Sequence, residues 1–246
     1  VESLIEGKDI YLLEDNCESL GATLNGKQAG TFGVMGTYSS FFSHHISTME
    51  GGLIATDDEE LYHILLSIRS HGWTRHLPKD NKVVEKSDNA FHESFRFVLP
   101  GYNVRPLDMS GALGKEQLRK LPAIISGRQE NAKFFVETFS KIEGISIQQE
   151  TGNSSWFGFA IICDAGSEMR DKLVEALTNE DVDCRPIVAG DFTKNEVMSY
   201  FDYELHGEMT NSSLIDSSGF FIGNHHYDVR SKLAAIATLI EQTLKA

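Results

Sequence analysis

Two stretches of the chain gather side chains suited to proton transfer and anion binding. Glu14-Asp15-Asn16-Cys17-Glu18-Ser19 offers three carboxylates and a thiol, and Ser39-Ser40-Phe41-Phe42-Ser43-His44-His45 offers three hydroxyls and two imidazoles, with Glu50-Gly51-Gly52 close behind. A carboxylate such as Asp15 can pair with a protonated ring nitrogen. A hydroxyl such as Ser39 can donate to a phosphate, and an imidazole such as His44 can move protons because it titrates near working pH. Plainer roles compete with each of these. A lone aspartate at a strand end serves as readily as a helix cap or turn residue, and of two adjacent histidines one is commonly buried and the other exposed.

These residues need elements to hold them. Ile10-Tyr11-Leu12-Leu13 is short, apolar and followed by acid, so it reads as a buried strand of a parallel sheet with Glu14 and Asp15 at its carboxyl end, where open α/β sheets place ligands. Asn25-Gly26 is a turn signal. Val34–Phe42 and Leu53–Thr56 read as further strands. Asp57 or Asp58 caps a helix whose Leu61, Ile64, Leu65 and Ile68 recur at helical spacing, and Gly72 ends it. Residues 73–100 show no clean period, and a stretch of that length is usually functional or mobile. A helix is expected over Leu107–Leu121, and Pro122 should open a second one carrying Phe135 and Phe139 on its apolar face. The remainder reads as strands at Ile145–Gln149 and Trp156–Cys163, a helix with Met169, Leu173 and Leu177, a strand at Val182–Val188, a loop, a strand at Phe220–Gly223, and a last helix with Leu233, Ile236, Ile240 and Leu244. Trp73 and Trp156 read as core or interface residues rather than sugar platforms. The domain boundary is placed near residue 115.

Composition narrows the class. The 246 residues are 41% hydrophobic and carry a net charge of −14, which excludes a disordered chain and argues against a nucleic-acid-coating surface. Every apolar run is broken well short of a membrane span. Three cysteines, Cys17, Cys163 and Cys184, fit a reducing cytosol better than a disulfide framework. No pair among the nine histidines has a zinc-ligand spacing with a third partner, so no metal site is expected.

The order of motifs resembles the pyridoxal-phosphate sugar aminotransferase family, of the aspartate-aminotransferase fold. Matching residues are Glu14, Asp15 and Glu18; Ser39 to His44; Glu50 to Gly52; Arg69, His71 and Gly72; and Gly101, Tyr102, Asn103 and Arg105. The resemblance implies an α/β, fold-type I pyridoxal-phosphate-dependent transferase. Residues 1–115 would be the later part of a large domain with a mixed sheet, and residues 116–246 a small C-terminal α+β domain. One departure bears on the chemistry. Family aminotransferases hold the cofactor covalently on a lysine six residues before the Glu of Glu-Gly-Gly; here that position is His44, and no lysine occurs between Lys27 and Lys79. An imidazole cannot form that link, but it can transfer protons.

The histidine resembles the family's 3-dehydratase branch. That likeness implies pyridoxal 5′-phosphate in its pyridoxamine 5′-phosphate form, L-glutamate as amino donor, and a nucleotide-sugar substrate, GDP-4-keto-6-deoxy-D-mannose before a CDP-sugar. Residue by residue it implies His44 as catalytic acid/base, Asp15 on the cofactor's ring nitrogen, Glu18 near its ring hydroxyl or a water, and Ser39 on its phosphate. Asn103 would reach that phosphate across a homodimer whose active sites are shared between subunits. Arg105 would meet the substrate's pyrophosphate or the glutamate carboxylate, with Arg185 and His225 as further substrate contacts. A related CDP-sugar dehydratase carries an iron–sulfur cluster on four cysteines; aligned on the histidine, three of those positions fall near Arg75, Leu77 and Glu85, so no cluster is expected. The location implied is cytoplasmic. Two alternatives stay open: a sugar aminotransferase lacking the usual lysine, and a catalytically inactive scaffold on the same fold. Family members also run longer on the N-terminal side. The chain is therefore expected to be truncated there, with an incomplete cofactor pocket and an unpaired sheet, and to be inactive by itself.

Overall fold

The computed structural model describes all 246 residues, which form two compact units, Val1–Leu121 and Pro122–Ala246. In the first, a short helix α1 (Glu2–Ile5) precedes strand β1 (Leu13–Asp15). Strands β2 (Thr23–Leu24) and β3 (Lys27–Gln28) form a hairpin whose Asn25 and Gly26 both have positive φ, as the turn signal requires. Strands β4 (Met35–Ser39) and β5 (Gly52–Ala55) complete a mixed three-stranded sheet of order β1-β4-β5, with β1 parallel and β5 antiparallel to β4. Helix α2 (Glu59–Ile68) starts on Asp58, whose carboxylate accepts from the Leu61 N–H, and helix α3 (Ala90–Glu93) is a single turn.

Three expectations are corrected in this unit. The Ile10–Leu13 run is not a buried strand: Ile10, Tyr11 and Leu13 are exposed and the strand begins only at Leu13, with β1 paired to β4 alone, the unpaired sheet expected of this chain. Strand β4 stops at Ser39 because the chain turns there, with the Ser40 N–H bonded to Gly51 and the Thr48 N–H returning to the Ser40 carbonyl. Helix α2 ends at Ile68 rather than beside Gly72. The Gly72 N–H does reach back to the Ser67 carbonyl, at 2.9 Å.

The long helix α4 (Asp108–Phe139) runs through Pro122 without interruption, so the two expected helices are one. Proline there removes one intrahelical N–H and crowds the preceding turn, but its fixed φ is compatible with the helix. The bond it forfeits is one of many in a helix of 32 residues, whose later half is anchored by Phe135 and Phe139, both fully buried.

The second unit adds β6 (Ile145–Ile147), β7 (Gly158–Cys163), α5 (Ser167–Asn179), β8 (Cys184–Arg185), α6 (Thr210–Ser218), β9 (Gly219–Gly223) and α7 (Arg230–Leu244). Its sheet is antiparallel throughout, in the order β6-β7-β9-β8. Alternate residues of β7, namely Phe159, Ile161 and Cys163, are fully buried, as the two-residue period of a strand demands. They pack with Phe135 and Phe139 of α4, Leu173 and Leu177 of α5, and Leu233 and Ile240 of α7. The Phe135 and Phe159 rings stack at 4.3 Å. Trp156, 4% exposed, belongs to this core. The strand expected over Val182–Val188 shrinks to Cys184–Arg185, and α6 lies where a loop was expected.

Candidate active site

Alternation along β1 splits its two acids between different tasks. Glu14 faces one side, where its carboxylate accepts the N–H groups of Gly30, Phe32 and Gly33 at 2.8, 2.6 and 2.7 Å, fixing the loop that leads into β4. Charge-assisted bonds to backbone donors of this kind are strong. Glu14→Gln, which keeps the shape and removes the charge, should destabilise the full-length protein by about 1–3 kcal/mol, read as a lower urea midpoint with an unchanged slope.

Asp15 faces the other side. It stands in register with Thr37 on β4 and accepts from the Cys17 N–H at 3.1 Å and the Thr37 hydroxyl at 3.3 Å. The Cys17 thiol and N–H, with Thr37 and the nearby charge of His44, hold its carboxyl below the usual range against a small opposing effect of burial. Burial and Asp15 together push the Cys17 thiol up, so it remains protonated. Ser39 lies two residues beyond Thr37 and therefore on the same face as Asp15. Its oxygen accepts the Phe41 N–H at 3.2 Å, which leaves the hydroxyl proton for an outside acceptor.

His44 sits in the turn between β4 and β5. The Phe41 carbonyl takes its N–H at 3.0 Å, and the Phe41 ring meets its imidazole edge-on at 6.1 Å. Buried neighbours fix that turn: His45 and Ile46 are 3% and 2% exposed, and the Ser40 and Thr48 hydroxyls bond at 2.6 Å. The first turns of α4 brace it, through Gln117 on the Ser47 N–H and Ser110 on the Thr48 carbonyl. Of the two histidines, His45 is buried and His44 half-buried. The charge of His44 acts on both Asp15 and Glu18, so these three groups share one electrostatic neighbourhood. Glu18 is pushed up by desolvation, opposed by His44 and reinforced by Asp15.

Asn103 and Arg105 are exposed and bonded to each other, Nε to Oδ1, at 3.2 Å. They lie on a segment zipped to the end of α2. The Ile68 carbonyl accepts from Tyr102, His71 donates to the Tyr102 carbonyl, and Val98 donates to Gly72. The zipper needs Gly72: its φ is +81°, and a Cβ there would stand 1.7 Å from the Leu99 carbonyl oxygen.

The other two predicted site residues belong to the second unit. Arg185 is exposed and paired with Asp183 at 3.0 Å. His225 stacks on Tyr227 at 4.5 Å, and burial, then Arg128, lowers its proton affinity. Its backbone carbonyl is held by Asn131, which belongs with Asn224 and Arg128 to a buried polar network that spacing alone does not reveal. The three cysteines are unbridged, and no helix is long and apolar enough to cross a membrane.

Comparison with known proteins accords with this geometry. GDP-4-keto-6-deoxy-D-mannose 3-dehydratase of Yersinia pseudotuberculosis is 58% identical over 245 residues, 98% of this chain and 62% of that protein. The solved structure of the E. coli enzyme of that name, with bound hydrated PLP, is 57% identical with a TM-score of 0.94, over 97% of this chain and 62% of that one. A further structure of such a dehydratase, holding a trapped PLP-glutamate geminal diamine, is 56% identical with a TM-score of 0.95, over 97% of this chain and 63% of that one. The chain thus spans about three fifths of the length of these relatives, and its α/β architecture with a mixed sheet is the aminotransferase fold they share. Residues 1–226 match one family throughout, and the chain belongs to the DegT/DnrJ/EryC1/StrS aminotransferase family.

Proposed function

We propose that this chain carries most of the catalytic machinery of a pyridoxamine-phosphate-dependent 3-dehydratase. The substrate is a nucleotide-linked 4-keto-6-deoxyhexose, GDP-4-keto-6-deoxy-D-mannose in the first instance, and glutamate regenerates the cofactor. In this reading residues 1–115 are the later part of the cofactor-binding large domain and residues 116–246 the small domain. The enzyme is a cytoplasmic homodimer in which Asn103 reaches the partner's cofactor phosphate, and Arg105, Arg185 and His225 contact substrate. The observation that carries the reading is the imidazole of His44 within the electrostatic reach of Asp15 and Glu18, in a segment with no lysine between Lys27 and Lys79.

The donor set fits the cofactor. Asp15 is an ionised carboxylate suited to a pyridinium N–H, Ser39 has a hydroxyl proton to give a phosphate, and neither is committed to a salt bridge. When bound, the cofactor supplies an amine that condenses with a keto group and a ring that accepts electrons. Asp15 keeps the ring nitrogen protonated. Glu18, whose proton affinity is raised, orients the ring hydroxyl or a water beside it. His44 is the proton carrier, working through Nε2 because Nδ1 is buried. With cofactor and substrate bound, His44 would accept a proton from the carbon facing it and would donate one to the substrate's departing C3 hydroxyl, which would leave as water. A lysine here would hold the cofactor covalently and complete a transamination; an imidazole leaves elimination as the outlet.

The test is the full-length protein with pyridoxal phosphate, glutamate and GDP-4-keto-6-deoxy-D-mannose. A 3-deoxy product with ammonia release is expected. A 4-amino sugar would instead identify an aminotransferase, and absence of cofactor absorbance would identify a scaffold.

A further inference from the structure

An N–H and an O–H reach the Asp15 carboxylate, and both end on the same oxygen. The Cys17 N–H meets Oδ1 at 3.1 Å and the Thr37 hydroxyl meets it at 3.3 Å. The two differ in kind. Cys17 lies two residues along the chain, so its N–H closes an ordinary turn on an aspartate side chain, a local motif that needs no ligand to explain it. Thr37 lies 22 positions away on β4, and only the parallel β1–β4 register brings it opposite Asp15. Its hydroxyl has one proton to give. The alternative acceptor, the Glu14 carbonyl, is farther off at 3.5 Å and uncharged, so the carboxylate is favoured.

The place of Thr37 within β4 gives this bond a use. Ser39 lies two residues on and faces the same side. Thr37 therefore ties Asp15, on one strand, to the strand that carries Ser39. In the cofactor reading these are the two anchors of a single rigid ligand, one for its ring nitrogen and one for its phosphate. Such a ligand is held well only if its anchors keep a fixed relation to each other. A carboxylate held by a local turn alone can still rotate about its last bond, whose torsion is broad. A second donor from the neighbouring strand stops that rotation. Asp15 and Thr37 are both exposed, so packing does not do this for them. Threonine suits the task, because its β-branched side chain is stiff at χ1 and at home in a strand. Behind the thiol and N–H of Cys17, and against a small effect of burial, the Thr37 hydroxyl also helps keep Asp15 ionised.

Resting on the pyridoxamine-phosphate reading above, we propose that Thr37 is a positioning residue: its hydroxyl pins Oδ1 of Asp15 to β4, which leaves Oδ2 to take the cofactor's ring N–H in fixed relation to Ser39. Thr37 acts through Asp15 and takes no part in proton transfer to or from substrate.

The test uses the full-length protein and pyridoxamine phosphate labelled with heavy nitrogen in the ring, followed by magnetic resonance. Thr37→Val keeps the shape and the strand preference and removes only the hydroxyl; Thr37→Ser restores it. Thr37→Val should weaken cofactor binding about three- to tenfold, the worth of one modest hydrogen bond. The ring nitrogen should lose its proton at a lower pH, because its carboxylate partner no longer stays aimed. Removing the bond also makes Asp15 slightly more basic, which by itself would hold the ring proton to higher pH, so the sign of the shift separates positioning from a change of basicity. In turnover kcat should fall by a similar factor, with KM for the nucleotide sugar within about twofold. Thr37→Ser should recover cofactor affinity and kcat to within about twofold of the parent. In an Asp15→Ala background, Thr37→Val should change cofactor affinity less than about twofold, because nothing is left for it to act through. Parental affinity and ring titration in Thr37→Val would overturn the role. So would a shift to higher pH, a Thr37→Ser protein as impaired as Thr37→Val, or an undiminished effect without Asp15. If a 4-amino sugar or no product forms while Thr37→Val shows the expected cofactor defect, the positioning role stands and the dehydratase reading falls. If a 3-deoxy sugar forms and cofactor binding is indifferent to Thr37, the positioning role falls and the dehydratase reading stands.

Discussion

His44→Asn should lower formation of the 3-deoxy sugar by about 100- to 10,000-fold, the usual contribution of a positioned general acid/base. Asparagine is close in size to imidazole and can occupy the same turn, since that turn is held by its neighbours: buried His45 and Ile46, the Ser40–Thr48 bond, and the bracing from Gln117 and Ser110. The loss should therefore appear in the chemical step rather than in folding. Single-turnover mixing of the amine form of the cofactor with substrate would measure it, with added imidazole restoring part of the rate. His44→Lys carries a second expectation. The new amine can bond covalently to the cofactor, so borohydride should fix cofactor to that variant and not to the parent, and dehydration should be lost. Dehydration within tenfold of the parent in either variant would remove His44 from the proton path.

The parts of the fold that the sequence announces are those decided within one element. Asp58 caps α2 because its own side chain meets the Leu61 N–H, and Asn25-Gly26 turns because both residues tolerate positive φ. The buried stripes of α5 and α7 follow from spacing alone. Where tertiary surroundings decide, the pattern misleads. Pro122 sits in a helix whose flanks are long enough to absorb its missing bond, whereas the exposure of Ile10, Tyr11 and Leu13 beside a strand paired with β4 alone is the unpaired sheet expected of this chain. The site divides in the same way. Asp15 and His44 lie 29 positions apart and are joined by the β1–β4 register and the turn that follows it, which motif order could signal. The approach of the segment carrying Asn103 and Arg105 to the end of α2 depends on a zipper between irregular segments, made possible by Gly72 beside Leu99. No periodicity encodes that approach.

Asp15→Asn should cost about 1.5–3 kcal/mol of barrier, roughly a 10- to 150-fold loss of turnover, the worth of a hydrogen bond to a charged group. The amide keeps an oxygen for the Cys17 N–H and the Thr37 hydroxyl, so the local bonds that place the side chain survive; the negative charge does not. Without it the cofactor's ring nitrogen loses the partner that keeps it protonated, and the defect should appear in the cofactor absorbance as well as in the rate. The pH dependence gives an independent check. The carboxyl of Asp15 is held below the usual aspartate range by the Cys17 and Thr37 hydrogen bonds, so its carboxylate, and the stability it confers, is fully present above the unfolded value and is lost only as pH falls through the depressed one. Glu18 is shifted the opposite way, upward, by burial. As pH falls, Glu18 therefore takes up its proton first. The acid limb of the rate profile should be lost in Glu18→Gln; in Asp15→Asn it should persist, moved slightly to lower pH because the Asp15 charge no longer raises Glu18, while the whole curve drops. An acid limb that vanishes on replacing Asp15 would mean that this carboxylate titrates in the working range and is not the fixed anion the β1–β4 register holds in place.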